Sequence, residues 1–303
     1  MHELNVLLKI EFKRLFKNKL FYISLFIGVV LATGSFINKV IPHMDILNGF
    51  DGSVASYPFS VFNSWMGIFI GFDPFATAYV YVCMLFCALP YCGNFSRDNH
   101  NQYILQYYSR ASRNKVHAAR FITTFVSGGM LVLIPVLMNL IATMMCVPAL
   151  SPVENGLFIG SGKSFMGCLF YNHTFVYIII YLIQFFVYGG AFSVVSLAVA
   201  FLFDNAFLVM ISPFIAYYGV GVLSTVGKNI FGLYTFNPMS YISPSNVLMD
   251  NGLIGFILEP LIIILVSGVI FFWKGAANEV LKIFDYGSLH CHSSSMYCID
   301  SKS

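Results

Sequence analysis

Apolar runs of about 20 residues are the feature that most constrains how this chain can fold. They cover approximately residues 20–41, 74–93, 118–147, 174–203, 206–227 and 253–273. A helix needs about 20 consecutive apolar residues to cross the hydrocarbon core of a bilayer. Barrel strands are shorter, about ten residues, and alternate in polarity, whereas these runs are continuous. The sequence therefore predicts an all-α, polytopic membrane protein with about six transmembrane helices.

The composition agrees with a single integral membrane domain over residues 20–273. Hydrophobic residues make up 58% of the chain and charged residues only 10%, against roughly half and a quarter in soluble proteins. The seven cysteines have neither disulfide-framework nor metal-ligand spacing, which predicts reduced packing residues. The formal charge is +3 and the basic residues form short blocks between the runs, so nucleic-acid binding is not indicated.

The distribution of Lys and Arg predicts the orientation. If the N-terminus is inside, five basic residues from 1–19, five from 94–120 and three from the tail 274–303 lie on the inner side. Only Lys39, Lys163 and Lys228 then lie outside. Because basic loop residues favour the cytoplasmic side, we expect a multi-pass protein of the cell membrane with both termini in the cytoplasm.

Residues 1–19 have the pattern of an amphipathic helix in the membrane interface. Asn5, Lys9, Lys13 and Lys17 follow one face, and Glu11 falls on the apolar side and weakens the pattern. The alternative is a solvated basic leader before the first apolar run. The predicted apolar face consists of Leu4, Leu7, Leu8, Phe12, Leu15 and Phe16.

The polar interval 94–120 has an aromatic stripe at helical spacing. A short amphipathic cytoplasmic helix is the direct interpretation, with Ser109 or Ser112 capping the helix that follows. Aromatic and Arg residues are favoured at protein interfaces, but a helix lying on anionic lipid would show the same pattern. The stripe consists of Tyr103, Ile104, Tyr107 and Tyr108, with Arg110 on the opposite side.

The connections between the other runs carry weaker signals. The stretch 57–72 is rich in aromatic residues and too short to add a span, so we expect it at the outer interface or entering the membrane part way. Asp204 and Asn205 alone separate the fourth and fifth runs, which predicts a tight antiparallel helix pair.

Glu259 is an ionisable residue some six residues into the last run, followed by Pro260. One interpretation is a carboxylate on the substrate path that senses a cationic substrate or a proton. The other is a residue near the outer headgroups, or a partner for Lys228. The sequence alone leaves these alternatives open.

No motif indicates an enzyme. The run GLFIGSGKS at 156–164 approaches a phosphate-binding loop, but Leu157 occupies the position that requires glycine and no strand precedes it. No catalytic cluster recurs at one membrane depth. The HCHSSSMYC tail matches no closed zinc pattern, so a disordered end is expected and no metal site. Any nucleotide chemistry must come from another chain.

These features together resemble the permease subunits of type 2 ABC exporters. The resemblance is carried by the basic amphipathic entry LLKIEFKRLFKNKLFYISL, by six spans with both termini inside, and by SRASRNKVHAARFI at the end of the first cytoplasmic loop. It covers essentially the whole chain in architecture. The abundance of aromatic residues, 17% of the chain, is a departure from the family pattern.

The resemblance implies a permease that pairs with a second copy or paralogue in the bilayer. Separate ABC ATP-binding subunits would bind ATP and Mg, and this chain would hold no cofactor. It implies that the loop 94–120 carries a coupling helix, with Tyr103, Ile104, Tyr107, Tyr108, Arg110 and Arg113 as partner-binding residues. The cargo would be peptide, lipid-like or drug-like. Two other classes remain open, a membrane anchor or sensor that recruits cytosolic partners and a secondary carrier.

Overall fold

The computed structural model describes residues 2–42, 44, 60–67, 73–100, 112–150, 166–203, 205–231, 237–242 and 253–273. Within these ranges the regular structure is helical and no strand occurs. The long helices are α1 His2–Lys17, α2 Lys19–Lys39, α4 Pro74–His100, α5 Arg113–Cys146, α7 Thr174–Ala200, α8 Ala206–Phe231 and α10 Leu253–Trp273. The short helices are α3 Val61–Ser64, α6 Gly167–Asn172 and α9 Pro238–Ile242. The prediction of an all-α fold is confirmed.

Five helices in the described part of the chain are long and apolar enough to cross a membrane. They are α2, α5, α7, α8 over Ala206–Gly227, and α10. The run predicted at 74–93 lies in α4, whose shorter apolar part is Pro74–Pro90. The chain is therefore a polytopic membrane protein, and the count of six spans stays a prediction.

Helix starts follow ordinary capping chemistry. Asn18 separates α1 from α2 and caps α2, accepting a hydrogen bond from Leu20 N at 3.0 Å through its side-chain oxygen. Its side-chain nitrogen also donates to the carbonyl of Pro90 in α4. Ser112 is the N-cap residue of α5 and has an extended backbone, but its side chain makes no capping hydrogen bond, so only the predicted position of the cap is confirmed. Asn18 thus fixes the corner between α1 and α2 against a third helix.

Helices α5 and α7 form the centre of the bundle because glycines allow their backbones to meet. A Cβ at Gly128 would lie 2.6 Å from the carbonyl oxygen of Gly189, and one at Gly189 would lie 2.7 Å from that of Gly128. Ser193 in α7 donates to the carbonyl of Thr124 in α5 at 2.9 Å. Small residues at such a contact are how membrane helices approach closely. Helices α2, α4 and α8 pack around this centre.

The helices alternate in direction between two ends of the bundle. Helix α1, the beginning of α5, the residues just after α7 and the end of α10 meet at one end, which we call the α1 end. Helices α7 and α8 pack against each other and are separated by residues 201–205, so the predicted close pair is confirmed. We call the opposite end of the bundle the far end.

At the far end, residues 60–67 pack inside the bundle. Asn139 of α5, which is 3% exposed, accepts a hydrogen bond from Met66 N and donates one to the carbonyl of Ala32 in α2, both at 2.8 Å. Trp65 is fully buried beside these contacts. Asn139 lies seven residues before the end of α5, which corresponds to about 10 Å along a helix. This part of the aromatic stretch 57–72 therefore lies inside the bundle, about two turns from the end of α5.

Helix α1 confirms most of the predicted amphipathic face. Leu7 and Leu15 are buried, and Leu4, Leu8 and Phe12 pack partly against the bundle. Phe16 was predicted on the same face but is 47% exposed. Its ring contacts that of Phe21 in α2, with centroids 5.8 Å apart, and its place on a membrane-facing side of α1 stays a prediction.

Candidate functional sites

The first candidate site is the junction between α1 and the beginning of α5. Lys115 Nζ lies 2.6 Å from Glu3 Oε2, and both side chains are largely exposed. One helix turn further along α5, Arg120 Nε lies 3.7 Å from Glu11 Oε1. Arg14 of α1 also approaches that carboxylate, at 3.6 Å. Two ion pairs therefore tie α1 to the first turns of α5.

The Glu11–Arg120 pair is buried, unlike the Glu3–Lys115 pair. Glu11 is 3% exposed and Arg120 is 2% exposed. A buried charge is tolerated when an opposite charge compensates it, so the position of Glu11 on the apolar face has a structural reason. The signal for this pair was present in the sequence, as a carboxylate on an otherwise apolar face. In the sequence alone this carboxylate only weakens the amphipathic pattern.

The same first turns of α5 also contact α10 and the end of α7. The ring of His117 lies 5.3 Å from that of Phe271 in α10 and 6.2 Å from that of Phe201, which follows α7. Phe121, one turn further, contacts Phe271 and Phe272. A displacement of the beginning of α5 would therefore reach α1, α7 and α10 together.

One of the six predicted partner-binding residues, Arg113, lies at this junction. Arg113 is the first residue of α5 and is exposed. The remaining predicted residues, Tyr103, Ile104, Tyr107, Tyr108 and Arg110, lie outside the described residues.

The second candidate site is centred on Glu259 in α10. Its side chain is 3% exposed, and Oε2 accepts a hydrogen bond at 2.8 Å from the hydroxyl of Tyr188 in α7. Among the described residues, Oε1 has no hydrogen-bond partner. The side chain of Lys228, the alternative partner of Glu259, is not among those that the structure describes. One carboxylate oxygen of Glu259 is therefore fixed by a hydrogen bond, and the other can accept one.

Glu259 lies deeper in the bundle than its sequence position indicates. Tyr188 is the fifteenth of the 27 residues of α7, which places it about 20 Å from each end of that helix at 1.5 Å per residue. One turn earlier, Gln184 of α7 donates to the carbonyl of Phe256 at 3.1 Å. The first turn of α10 thus begins well inside the length of α7. Glu259 therefore lies beside the middle of α7, inside the bundle.

The short helix α9 packs beside the beginning of α10. Tyr241 of α9 is buried and its ring lies 6.2 Å from that of Phe256. Its hydroxyl occupies the space that a Cβ at Gly255 would need. Glycine at 255 therefore allows α9 to pack one turn from Glu259.

Other tyrosines complete the surroundings of Glu259. Tyr188, Tyr217 and Tyr241, from α7, α8 and α9, lie within electrostatic range of its carboxylate. The Tyr217 hydroxyl has no hydrogen-bond partner among the described residues. Phe192 links the rings of Tyr188 and Tyr217, with centroid distances of 6.2 and 5.4 Å. We call Glu259, Tyr188, Tyr217 and Tyr241 the Glu259 cluster.

A third buried carboxylate, that of Asp73, lies at the far end and has different partners. It caps α4, accepting from Phe75 N at 3.0 Å, and it accepts a hydrogen bond from the Ser35 hydroxyl. Lys39 Nζ lies 4.0 Å from it. Sequence reasoning overlooked this site, although an Asp directly before a Pro at a helix start is a recognisable cap. Its contacts indicate a structural role.

Packing accounts for the cysteines of α4 whose side chains are described. Cys83 and Cys87 are buried, and their thiols donate to the carbonyls of Val80 and Met84 at 3.4 and 3.0 Å. The described residues contain no group of three or more His, Cys, Asp or Glu that could hold a metal ion. Neither observation indicates catalysis or metal binding.

No protein-family model, curated protein or solved structure matches this chain. Its own residues therefore carry the functional interpretation. They offer a charged junction at the α1 end and a tyrosine-lined carboxylate at mid-depth.

Proposed function

We propose that the chain is the membrane permease subunit of an ATP-driven ABC exporter, powered by separate ATP-binding subunits. It would pair with a second permease copy or a paralogue. The α1 end would face the cytoplasm, residues 94–120 would carry the coupling helix, and the cargo would be peptide, lipid-like or drug-like. ATP and Mg would bind to the partner subunit.

The observation that carries this proposal is the junction between α1 and α5. An ATPase that moves during its cycle needs a rigid contact through which to displace the transmembrane helices. The Glu11–Arg120 pair and the Glu3–Lys115 pair join α1 to α5, next to the segment that contains the proposed partner-binding residues. His117 extends the connection to α10.

Two other classes make different predictions. A membrane anchor or sensor would recruit cytosolic partners without transport. A secondary carrier would use Glu259 and an ion gradient, and the buried position of that carboxylate is the specific observation in its favour. Transport that survives ATP depletion but stops with an ionophore would support the carrier, and the reverse result supports the exporter.

The direct test is purification of the full chain from its native host in mild detergent, with identification of bound chains by mass spectrometry. We expect a P-loop ATPase whose ATP hydrolysis depends on this chain. The double variant Tyr107→Asp with Arg113→Glu should lose the ATPase while it inserts normally. Lys13→Glu reverses an exposed charge on the polar face of α1 and serves as the matched control.

The outcomes separate the function from the docking residues. Retention of the ATPase by the double variant would refute the docking assignment alone. Absence of any ATPase with the wild-type chain, even after crosslinking in intact membranes, would refute the proposed function. A reporter fused after Lys302 should be cytoplasmic, and an external signal would refute the six-span topology.

A further inference from the structure

We propose that the Glu259 cluster binds the ammonium group of a membrane-soluble amine. This inference rests on the proposed function, because it names cationic amphiphiles as a substrate class of the exporter. It identifies Glu259 as the counter-ion of the amine, with the hydroxyls and rings of Tyr188 and Tyr217 around it.

The first argument is charge. The structure describes the side chains of four carboxylate residues, and three of them have a basic partner: Glu3 has Lys115, Glu11 has Arg120, and Asp73 has Lys39. None of the ion pairs among the described residues involves Glu259. A carboxylate at the middle of a membrane bundle is costly unless a cation compensates it. A bound cation would fill the role that Lys or Arg fills at the other three.

The second argument is hydrogen-bond geometry. Tyr188 already donates to Glu259 Oε2, which holds the carboxylate in place. Oε1 and the Tyr217 hydroxyl are buried polar atoms without a partner among the described residues. An ammonium group has three N–H donors, and both atoms can accept from it. The site therefore offers acceptors where a cationic donor is required.

The third argument is the aromatic surroundings, which favour an organic cation over a metal ion. Alkaline-earth ions take about six or more oxygen ligands, whereas the groups described around Glu259 are tyrosines, two of them packed against the ring of Phe192. Aromatic faces attract ammonium groups, by about 2 kcal/mol or more when water is excluded. The site lies at mid-depth, so a ligand with an apolar body could reach it from the bilayer.

The test measures binding to the isolated full chain in lipid nanodiscs, without an ATPase. The probe is a dansyl-labelled long-chain primary amine, and its N-acetylated analogue is the neutral control. Wild type should bind the amine saturably and the analogue only as bulk lipid does. Glu259→Gln should weaken binding about 10-fold or more, as expected for loss of a charged hydrogen-bond partner, and Tyr188→Phe about 3–10-fold, because Tyr188 holds the carboxylate in place. Glu259→Asp should retain part of the affinity, and the exposed Tyr22→Phe should retain all of it.

Several results would overturn the inference. Equal saturable binding of the amine and its acetylated analogue would show that charge is not recognised. Unchanged amine binding by Glu259→Gln would show that Glu259 is not the counter-ion of the amine. Proton uptake that depends on Glu259, with no saturable amine binding, would assign the site to a proton instead. If Glu259→Gln does not fold, the inference is still tested by the Tyr188→Phe variant and by comparing the binding of the two probes to the wild type. Since no ATPase is present, these results are independent of the test of the proposed function.

Discussion

Replacing Glu11 by leucine should destabilise the protein by about 3–5 kcal/mol, the usual cost of removing one partner of a buried ion pair. The loss would leave the guanidinium of Arg120, which is 2% exposed, without the carboxylate 3.7 Å away. Leucine at 11 adds apolar surface to a buried position, so the destabilisation would come from charge and not from a cavity. Arg14 loses the same contact but is partly exposed, and should add little.

The double variant Glu11→Leu with Arg120→Met separates charge from packing. It removes both buried charges and keeps apolar side chains of similar length, so its stability should return to within about 1–2 kcal/mol of wild type. Glu3→Gln breaks the exposed Glu3–Lys115 pair and serves as the control. It should cost less than about 1 kcal/mol, the usual limit for surface pairs.

The assay is reversible unfolding in mixed detergent micelles, with increasing SDS and far-UV circular dichroism as the signal. Wild type, Glu11→Leu, Arg120→Met, the double variant and Glu3→Gln are compared at one pH and one lipid ratio. A loss below about 1 kcal/mol for Glu11→Leu would refute the burial of a compensated charge at the α1–α5 junction. A double variant as unstable as the sum of its single variants would show that the two residues do not interact.

Other contacts make predictions in the same unfolding assay. Asn139→Ala should cost about 2–4 kcal/mol, because Met66 N and the carbonyl of Ala32 each lose a buried hydrogen bond; a loss below 1 kcal/mol would contradict the bridging role. Gly189→Ala should cost about 1–3 kcal/mol by overpacking, since its Cβ would lie 2.7 Å from a backbone oxygen of α5. Gly219→Ala meets nothing within 4 Å and should be neutral or slightly stabilising. Equal effects of the two glycine variants would argue against the close approach.

Local sequence patterns predicted the helices well because hydropathy and capping depend on neighbouring residues. The run predicted at 253–273 coincides with α10, and the run at 206–227 begins where α8 begins. The third run was predicted to start near 118, whereas α5 starts at Arg113, since its first turn is polar and follows the Ser112 cap. Residues 1–19 were recognised as one amphipathic helix for the same local reason.

The roles of the charged residues could not be predicted in this way. Glu11 weakened a helical pattern in the sequence, and its partner Arg120 is more than a hundred residues away. Glu259 was one turn and a half into an apolar run, which fits a headgroup position as well as a buried one. Its hydrogen bond to Tyr188, 71 residues away along the chain, shows that it is buried inside the bundle, and no local pattern could predict that contact.

By itself, the sequence determined that this chain is a helical, multi-pass membrane protein, because continuous apolar runs of this length leave few other folds. The tertiary structure alone decided which faces of those helices meet. Close glycine contacts bring α5 against α7, and α9 lies beside the beginning of α10, so that the carboxylate of Glu259 is held among tyrosines at mid-depth. The physical reason is that hydropathy is a property of one segment, whereas the partner of a buried charge depends on how several segments pack.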